Sequence, residues 1–426
     1  MNNQLVRRFR PPSPLRVAAI AVGCVAICCI AACGGDMSAG GGTPPGPPQG
    51  NGYVPLGYAY IASKDTQQSG TAGSIYQYAI AADGSLSALG VPSVPTGVDP
   101  VSIVADSTGH FVYTANSGDN TISQFAVGTG GALTPLSPAT ISLPGAPSGA
   151  VIYSLSVDPA GPYLYVVAGW SVGQFSIGAD GTLTPLSPAY VSAPSFPPAI
   201  PTSALAIDPT GAHAYLVGFV PTPGCAVCGY DNQLVQFAIG PDGALTAYPQ
   251  VPVAEDRGLI VRIVIAPNGG TAYVLSQCID TNCDGSIAPY AIASTGELSP
   301  AGAATLTGSH VDPVDLIIDG SGTSAYLLAS LMGVDTDFGT VYQYSIDSTG
   351  AFSQMPASFP LNGGAVAESR YGPDLYVLSG AAGPDAPGVV PSVAIYSIGS
   401  QGELTSVGST QVAASAPTGI VLIAAP

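Results

Sequence analysis

The sequence predicts an all-β protein, a seven-bladed β-propeller of four-stranded antiparallel blades whose ring is closed by the C-terminal strand joining the first blade. Three observations predict it. One strand pattern recurs seven times, no segment after residue 33 sustains a helical period, and the chain ends on the strand that its first repeat lacks. Composition agrees, because 55 Gly and 41 Pro separate short Val-, Ile-, Tyr- and Leu-rich runs, whereas charged residues make up only 8%.

Residues 1–32 have the features of a lipoprotein signal peptide. An Arg-rich start precedes an apolar run from Val17 to Ala32, which is shorter than the roughly 20 residues of a membrane-spanning helix. The small residues before Cys33 resemble the bacterial lipobox, which implies lipidation at Cys33. By the same resemblance, Gly34 implies sorting to the outer membrane, on its periplasmic or surface face. A transmembrane anchor or an ordinary signal peptide is the alternative.

Residues 33–56 follow as the lipidated cysteine and a Gly- and Pro-rich tether, and residues 57–426 form the predicted propeller. Four of the eight Lys and Arg lie in the leader, so the mature chain keeps four against 26 Asp and Glu, a formal net charge of −22. This charge excludes nucleic-acid binding, which needs clustered cations. We therefore expect a lipid-anchored protein of the cell envelope whose membrane contact is made by the lipid alone.

The seven copies share an aromatic residue, an aliphatic residue two positions later, and a glycine six positions after the aromatic. The aromatics are Tyr78, Phe125, Phe175, Phe237, Tyr290, Tyr344 and Tyr396. The glycines are Gly84, Gly131, Gly181, Gly243, Gly296, Gly350 and Gly402. Residues i and i+2 share one strand face, and the glycine provides the turn to the next strand.

A second element precedes six of the seven strands that carry the repeated aromatic residue. An apolar run leads to a turn of the Asp-Pro-x-Gly type, and a Tyr follows the turn glycine by four residues, as in Asp158, Gly161 and Tyr165. One repeat is therefore four short strands. The first repeat begins at its second strand, at Gly57, and the C-terminal segment from Pro417 to Leu422 resembles the missing inner strand. Supplying that strand from the C-terminus covers both sheet edges, so a closed ring is predicted over an open stack.

This pattern of apolar inner strand, Asp-Pro-x-Gly, Tyr-Val and Gln-Tyr/Phe-x-Ile-x-x-x-Gly-x-Leu resembles the seven-bladed lactonase-like propellers, also described as the YVTN repeat group. The resemblance covers about residues 57–425. It implies the propeller fold and a family that includes a 6-phosphogluconolactonase, a muconate-lactonising enzyme and many binding proteins. The lactonases of this family use His, Glu and Arg side chains around the channel mouth, so the resemblance implies that a catalytic site would lie there.

Candidate binding residues cluster where blades five and six meet the channel mouth. Counting four residues back from each turn position gives Arg262 and Asp315 on adjacent blades and small residues on the other blades, namely Ser102, Ser154, Ala204, Ala365 and Gly419. This pair is either a polar site or an inter-blade ion pair. The candidate residues of this mouth are Glu255, Arg257, Arg262, His310, Asp312 and Asp315.

The predicted function is a monomeric module that binds an envelope protein or a small ligand at the cell envelope. The alternative is a lactone hydrolase of the 6-phosphogluconolactonase type with its site at the blade five to six mouth. No cofactor is expected, and no catalytic residue follows from the sequence. A pure structural spacer would bind nothing.

Two short motifs are open to a catalytic or metal interpretation. Residues 169–173 match Gly-x-Ser-x-Gly, but a nucleophile elbow needs a strand leading into a helix, and here a hairpin is expected. Trp170 is of more interest as a contact residue. Asp280, Asn282 and Asp284 match the opening of a calcium loop, but the acidic residue expected at position twelve is Ala291. A solvated turn is the simpler interpretation.

Four cysteines remain in the predicted propeller, in the long rim loops of blades four and five: Cys225, Cys228, Cys278 and Cys283. An exported protein experiences an oxidising compartment, where an even number of cysteines predicts disulfides, with local pairing the simpler arrangement. A four-thiolate zinc site is the alternative.

Overall fold

The computed structural model describes residues 55–64, 70–143, 151–169, 171–192, 200–221, 230–248, 258–277, 284–309, 311–331, 339–361, 364–380 and 390–425. These residues form 30 β-strands in seven separate sheets, and the described residues contain no helix. No helix in the described part of the chain is long and apolar enough to cross a membrane.

Each sheet is one antiparallel blade, and its strands follow chain order from the inner strand outward, except in blade one. Blade one takes its inner strand from the C-terminus and contains β30 (Ala416–Ala424), β1 (Gly57–Lys64), β2 (Ala72–Ile80) and β3 (Leu86–Val98). Blade two contains β4 (Pro100–Ala105), β5 (Phe111–Asn116), β6 (Thr121–Val127) and β7 (Leu133–Ser142). Blade three contains β8 (Ile152–Val157), β9 (Tyr163–Ala168), β10 (Ser171–Ile177) and β11 (Leu183–Ser192).

Blades four and five each contain an extra short strand. In blade four the inner strand is split, so the strands are β12 (Ile200–Pro201), β13 (Ala206–Ile207), β14 (His213–Pro221), β15 (Tyr230–Ile239) and β16 (Leu245–Ala247). In blade five the outer strand is split, so the strands are β17 (Leu259–Ile265), β18 (Thr271–Gln277), β19 (Asp284–Ile292), β20 (Leu298–Pro300) and β21 (Thr305–Ser309).

The last two blades have four strands each. Blade six contains β22 (Val311–Ile318), β23 (Ser324–Leu331), β24 (Gly339–Ile346) and β25 (Phe352–Pro360). Blade seven contains β26 (Gly364–Tyr371), β27 (Asp374–Gly380), β28 (Ser392–Ile398) and β29 (Leu404–Gln411).

The predicted ring closure is confirmed. Strand β30 pairs antiparallel with β1 from Gly57 opposite Ala424 to Lys64 opposite Ala416. The predicted turns are confirmed as well, because all seven glycines that follow the aromatic strands have φ between 75° and 82°. At Gly131 a side chain is also excluded by space, since a Cβ there would lie 2.2 Å from the ring of Tyr58 on the preceding blade.

The hydrophobic core is divided among the joints between blades. Seven clusters of buried side chains each combine residues from two neighbouring blades, and together they account for all seven joints of the ring. The last joint, between blades seven and one, includes Ile61, Tyr376, Leu378 and Ile420. Because neighbouring blades cover both faces of the second strands, such as β5 and β9, those strands are buried along almost their whole length, whereas outer strands such as β7 and β29 are largely exposed.

Candidate functional site

A break in strand pairing recurs at one position of the inner strands. The residue that follows the break pairs with the residue two positions after the repeated Tyr of the second strand. These ring positions are Ser102 in β4, Ser154 in β8, Arg262 in β17, Asp315 in β22, Ala367 in β26 and Gly419 in β30. An irregularity of this kind changes the direction of a side chain locally, so the repeat presents one such position in each of these six blades.

The sequence count is wrong at blade seven, where it gives Ala365. Strand β26 runs into a two-residue turn, with Tyr371 paired to Asp374. The other blades use the longer Asp-initiated turn, for example from Asp106 to Phe111. The shorter turn shifts the ring position by two residues, to Ala367.

Arg262 and Asp315 meet at the joint between blades five and six. The Arg262 Nε lies 2.6 Å from Asp315 Oδ1. The Asp315 side chain is only 12% exposed, whereas that of Arg262 is 36% exposed. The backbone N–H of Leu316 also donates to Asp315 Oδ1, at 2.7 Å. A guanidinium has five N–H donors and one carboxylate occupies at most two of them, so donors of Arg262 remain for a ligand.

Burial raises the pKa of the Asp315 carboxyl above its ordinary range. The Arg262 guanidinium and the Leu316 N–H favour the charged form and only partly offset that effect. Asp315 is therefore a stronger base than an exposed carboxylate when it is ionised.

A cavity of about 260 Å³ opens beside this pair. Three consecutive inner strands line it, with Ala204 to Ile207 from blade four, Arg262 to Ile265 from blade five and Asp315 to Ile317 from blade six. The volume is below the roughly 300–1,000 Å³ of pockets for drug-sized ligands, so it suits a small molecule. Arg262 and Asp315 supply all the charged side chains of its lining.

Half of the predicted site residues are placed by the structure. Arg262 and Asp315 are brought together as expected, and Asp312 lies in β22 with an exposure of 3%. Glu255, Arg257 and His310 lie outside the described residues, as do Cys33, the four cysteines of the rim loops, Trp170, Asp280 and Asn282. The lipidation, disulfide, zinc and calcium expectations therefore remain predictions.

The hairpin at residues 169–173 is confirmed. Ala168 ends β9, and Ser171 begins β10 and pairs with Ala168, so this segment connects two antiparallel strands and does not lead from a strand into a helix as a nucleophile elbow does. Asp284 begins β19. Within the described ranges, no group of three or more His, Cys, Asp or Glu side chains is arranged to hold a metal ion.

Two repeated hydrogen bonds hold the blades in register, and neither was predicted from the sequence. The repeated Tyr of the second strand donates its hydroxyl to the backbone oxygen of the turn glycine in the next blade, at 2.7–3.0 Å. These pairs are Tyr60–Gly131, Tyr113–Gly181, Tyr165–Gly243, Tyr215–Gly296, Tyr326–Gly402 and Tyr376–Gly84. The last pair closes the ring.

The second repeated bond uses the Gln that precedes the aromatic residue of the third strand. Its side-chain oxygen accepts from the backbone N–H of the leucine that begins the next blade's outer strand. These pairs are Gln77–Leu133, Gln124–Leu183, Gln174–Leu245 and Gln343–Leu404. The recurrence of Gln before the aromatic was a sequence signal for this contact. Blade five has Pro289 at that position.

A polar cluster on blade four involves a turn and not the channel. The Asp208 Oδ2 lies 2.8 Å from His213 Nδ1, and Thr210 donates to Asp208 Oδ1. Burial raises the pKa of Asp208, but these hydrogen bonds and the Ala212 N–H outweigh burial and lower the pKa overall. This cluster stabilises the turn between β13 and β14.

Comparison with known proteins agrees with this architecture. The family model of the lactonase seven-bladed β-propeller matches residues 57–347. No curated protein matches the chain. Among solved structures, a protein of Bacteroides uniformis assigned as a 6-phosphogluconolactonase is similar with a TM-score of 0.63 and 16% identity, covering 86% of this chain and 99% of that one.

Two further solved structures are similar. A Bacteroides fragilis protein with the same assignment has a TM-score of 0.59 and 19% identity, covering 86% of this chain and 98% of that one. The periplasmic gluconolactonase of Pseudomonas aeruginosa has a TM-score of 0.61 and 14% identity, covering 87% and 99%. At these identities the likeness shows the fold alone, whereas the family model covers most of the repeats. The chain belongs to the lactonase family of seven-bladed β-propellers.

Proposed function

We propose that this protein is a lactone hydrolase whose site is the cavity at the blade five to six side of the channel. The single observation that carries the proposal is the Arg262 guanidinium, part-exposed in a small cavity and held by the buried Asp315 carboxylate. Family membership and the names of the similar gluconolactonases favour this activity over a module that only binds.

The reaction needs a cation beside the lactone carbonyl. Attack by water on the carbonyl carbon places negative charge on the carbonyl oxygen, and the ring C–O bond then breaks. One water proton ends on the ring oxygen, which becomes a hydroxyl, and the other is released when the new carboxylic acid ionises. Arg262 donors directed at the developing oxyanion would stabilise this transition state more than the ground state.

Asp315 has two tasks in this proposal. Its Oδ1 accepts from both Arg262 and the Leu316 N–H, which fixes the orientation of the guanidinium. Both of these contacts fall on Oδ1, so Oδ2 is the atom we assign to the attacking water. The raised pKa of the carboxyl makes it a better proton acceptor near neutral pH than an ordinary aspartate.

The test is hydrolysis of a panel of lactones by the purified protein, followed by proton release. We expect Arg262→Met to lower kcat/KM by about 100-fold or more, the effect of removing one oxyanion donor. Lys64→Met is the matched control, because Lys64 also pairs with an aspartate, Asp99, at 3.9 Å, but at the joint between blades one and two. Its activity should equal that of the wild type.

Two outcomes would contradict the proposal. Turnover that survives Arg262→Met undiminished would place the chemistry elsewhere. Saturable lactone binding with no turnover by the wild type would support the binding module instead. His310→Ala extends the test to the sequence-predicted residue that directly precedes β22.

The leader adds a proposed location. The signal peptide and Cys33 were predicted from residues 1–33, so we propose that the hydrolysis takes place at the cell envelope, on a lipid-anchored protein.

A further inference from the structure

We propose that this site accepts uncharged lactones and excludes phosphorylated ones, and that Asp315 determines this preference. The proposal rests on the lactone hydrolysis proposed above, and it names the substrate class of that same site. Three features carry it: the charge balance of the cavity, the environment of the described cations, and the charge of the whole propeller.

The charge balance of the cavity is the first feature. Arg262 is the cation of the cavity lining, and Asp315 neutralises it at 2.6 Å. A second buried carboxyl, Asp312, lies three residues earlier in the same strand. The described side chains at this cavity therefore offer no excess positive charge to a ligand.

A phosphorylated lactone needs such an excess. A phosphate monoester carries a charge of about −1.5 to −2 near pH 7 and is normally held by Arg, Lys or helix N-termini. The two basic side chains that the structure describes, Lys64 and Arg262, are each paired with an aspartate. The described part of the propeller has no helix that could supply a terminus. An uncharged sugar lactone makes no such demand.

The charge of the propeller acts in the same direction. Residues 57–426 contain four Lys and Arg against 25 Asp and Glu. Opening a neutral lactone produces a carboxylate, so the ring would attract neither a phosphorylated substrate nor its own product. Repulsion of this kind falls off over a Debye length of about 8 Å at physiological ionic strength and about 3 Å at 1 M salt. Weak product inhibition is therefore a second expectation.

The first experiment compares glucono-δ-lactone with 6-phosphogluconolactone on the full chain. We expect kcat/KM for the neutral lactone to exceed that for the phosphorylated lactone by about 100-fold, and 1 M NaCl to narrow the difference. Equal or better use of the phosphorylated lactone would overturn the inference while leaving lactone hydrolysis standing. If neither lactone is hydrolysed, the proposed function is overturned. The second experiment then still tests whether the site excludes anions.

The second experiment measures binding alone, by calorimetry with 6-phosphogluconate as the probe. Asp315→Asn releases the Arg262 cation, so we expect binding roughly tenfold tighter than in the wild type. The matched control is Asp99→Asn, which removes a carboxylate from the Lys64 pair. Its φ of 51° is one that asparagine adopts readily. No gain in Asp315→Asn beyond that of Asp99→Asn would overturn the role of Asp315.

Discussion

Removal of the last ten residues, Pro417–Pro426, should destroy the cooperative unfolding of the ring. The truncation leaves only Ala416 of β30, so β1 loses its inner partner along nearly its whole length. Among the described strands, β30 and β1 are the pair that links the two ends of the chain, because the strands of every other blade are consecutive in the sequence. Blade one would then expose an apolar strand edge beside the channel.

The magnitude follows from burial of the strand. Ile420 is 7% exposed and packs in the joint between blades seven and one, whereas Ile423 is 5% exposed and packs in the joint between blades one and two. Each buried side chain of this size is worth about 1.5–3 kcal/mol, so the two account for about 3–6 kcal/mol. Val421 and Leu422 add part of that amount. Typical domain stability is about 5–15 kcal/mol.

The assay is urea and thermal unfolding followed by circular dichroism, with aggregation followed by light scattering. Deletion of residues 34–52, the predicted tether, is the control and should leave the midpoint unchanged. A truncated protein that unfolds at the same urea concentration as the full-length protein would refute closure by β30. An open stack of sheets would then describe the molecule better.

Three further predictions test other contacts. Tyr113→Phe removes the bond to Gly181 and should lower the free energy of unfolding by about 0.5–1.5 kcal/mol, whereas Tyr273→Phe, which loses no such inter-blade bond, should be nearly neutral in the same urea titration. The lowered pKa of Asp208 stabilises the fold above the ordinary carboxyl pKa, and this contribution is lost as pH falls through the lowered value. Asp208→Asn should thus flatten the loss of stability between about pH 5 and pH 3, measured by urea unfolding at each pH. Cys33→Ala should release the protein from membrane fractions, and unchanged retention would indicate an uncleaved helix.

The seven-fold repeat made most of the fold predictable from the sequence. A glycine six residues after each of the seven repeated aromatic residues predicted seven turns. All seven glycines have the positive φ that such turns require. Because the seven copies are in phase, the sequence alone placed Arg262 and Asp315 at equivalent positions of adjacent blades. The count was wrong at Ala365, because a two-residue turn at Gly372 moves the strand register by two positions.

Other features depend on tertiary contacts that a single repeat does not reveal. The split of the inner strand in blade four leaves β12 and β13 paired separately with β14, and no residue pattern marked the break. The raised pKa of Asp315 results from burial between three inner strands, so it depends on the assembled ring. The Gln contacts between blades could have been inferred from the recurrence of Gln before the aromatic residue.

The joint between blades five and six is the one where the repeat is least regular. Tyr273 packs edge to face on Phe352, with ring centroids 4.8 Å apart. At the six other joints the repeated Tyr donates to the turn glycine of the next blade, whereas the described contacts include no such bond from Tyr273 to Gly350. Pro289 replaces the Gln that bonds the next blade at four other joints. The polar contacts between these two blades include the Arg262–Asp315 pair, a bond from the Gln277 side chain to the Pro313 oxygen at 2.8 Å, and a bond from the Thr307 hydroxyl to the Val311 oxygen at 2.8 Å.

A largely buried ion pair is weak evidence for added stability, since desolvation offsets much of the attraction. The other described ring positions carry Ser, Ala or Gly, and the one other ion pair between Lys or Arg and an acid among the described residues, Lys64–Asp99, lies elsewhere, at the joint between blades one and two. The ring therefore does not need a charged pair at this position to close. A cation at the least regular joint, part-exposed in a small cavity, is better explained by chemistry at the channel than by stability. We therefore expect Arg262→Met to raise the activation free energy of turnover by more than it lowers the free energy of unfolding.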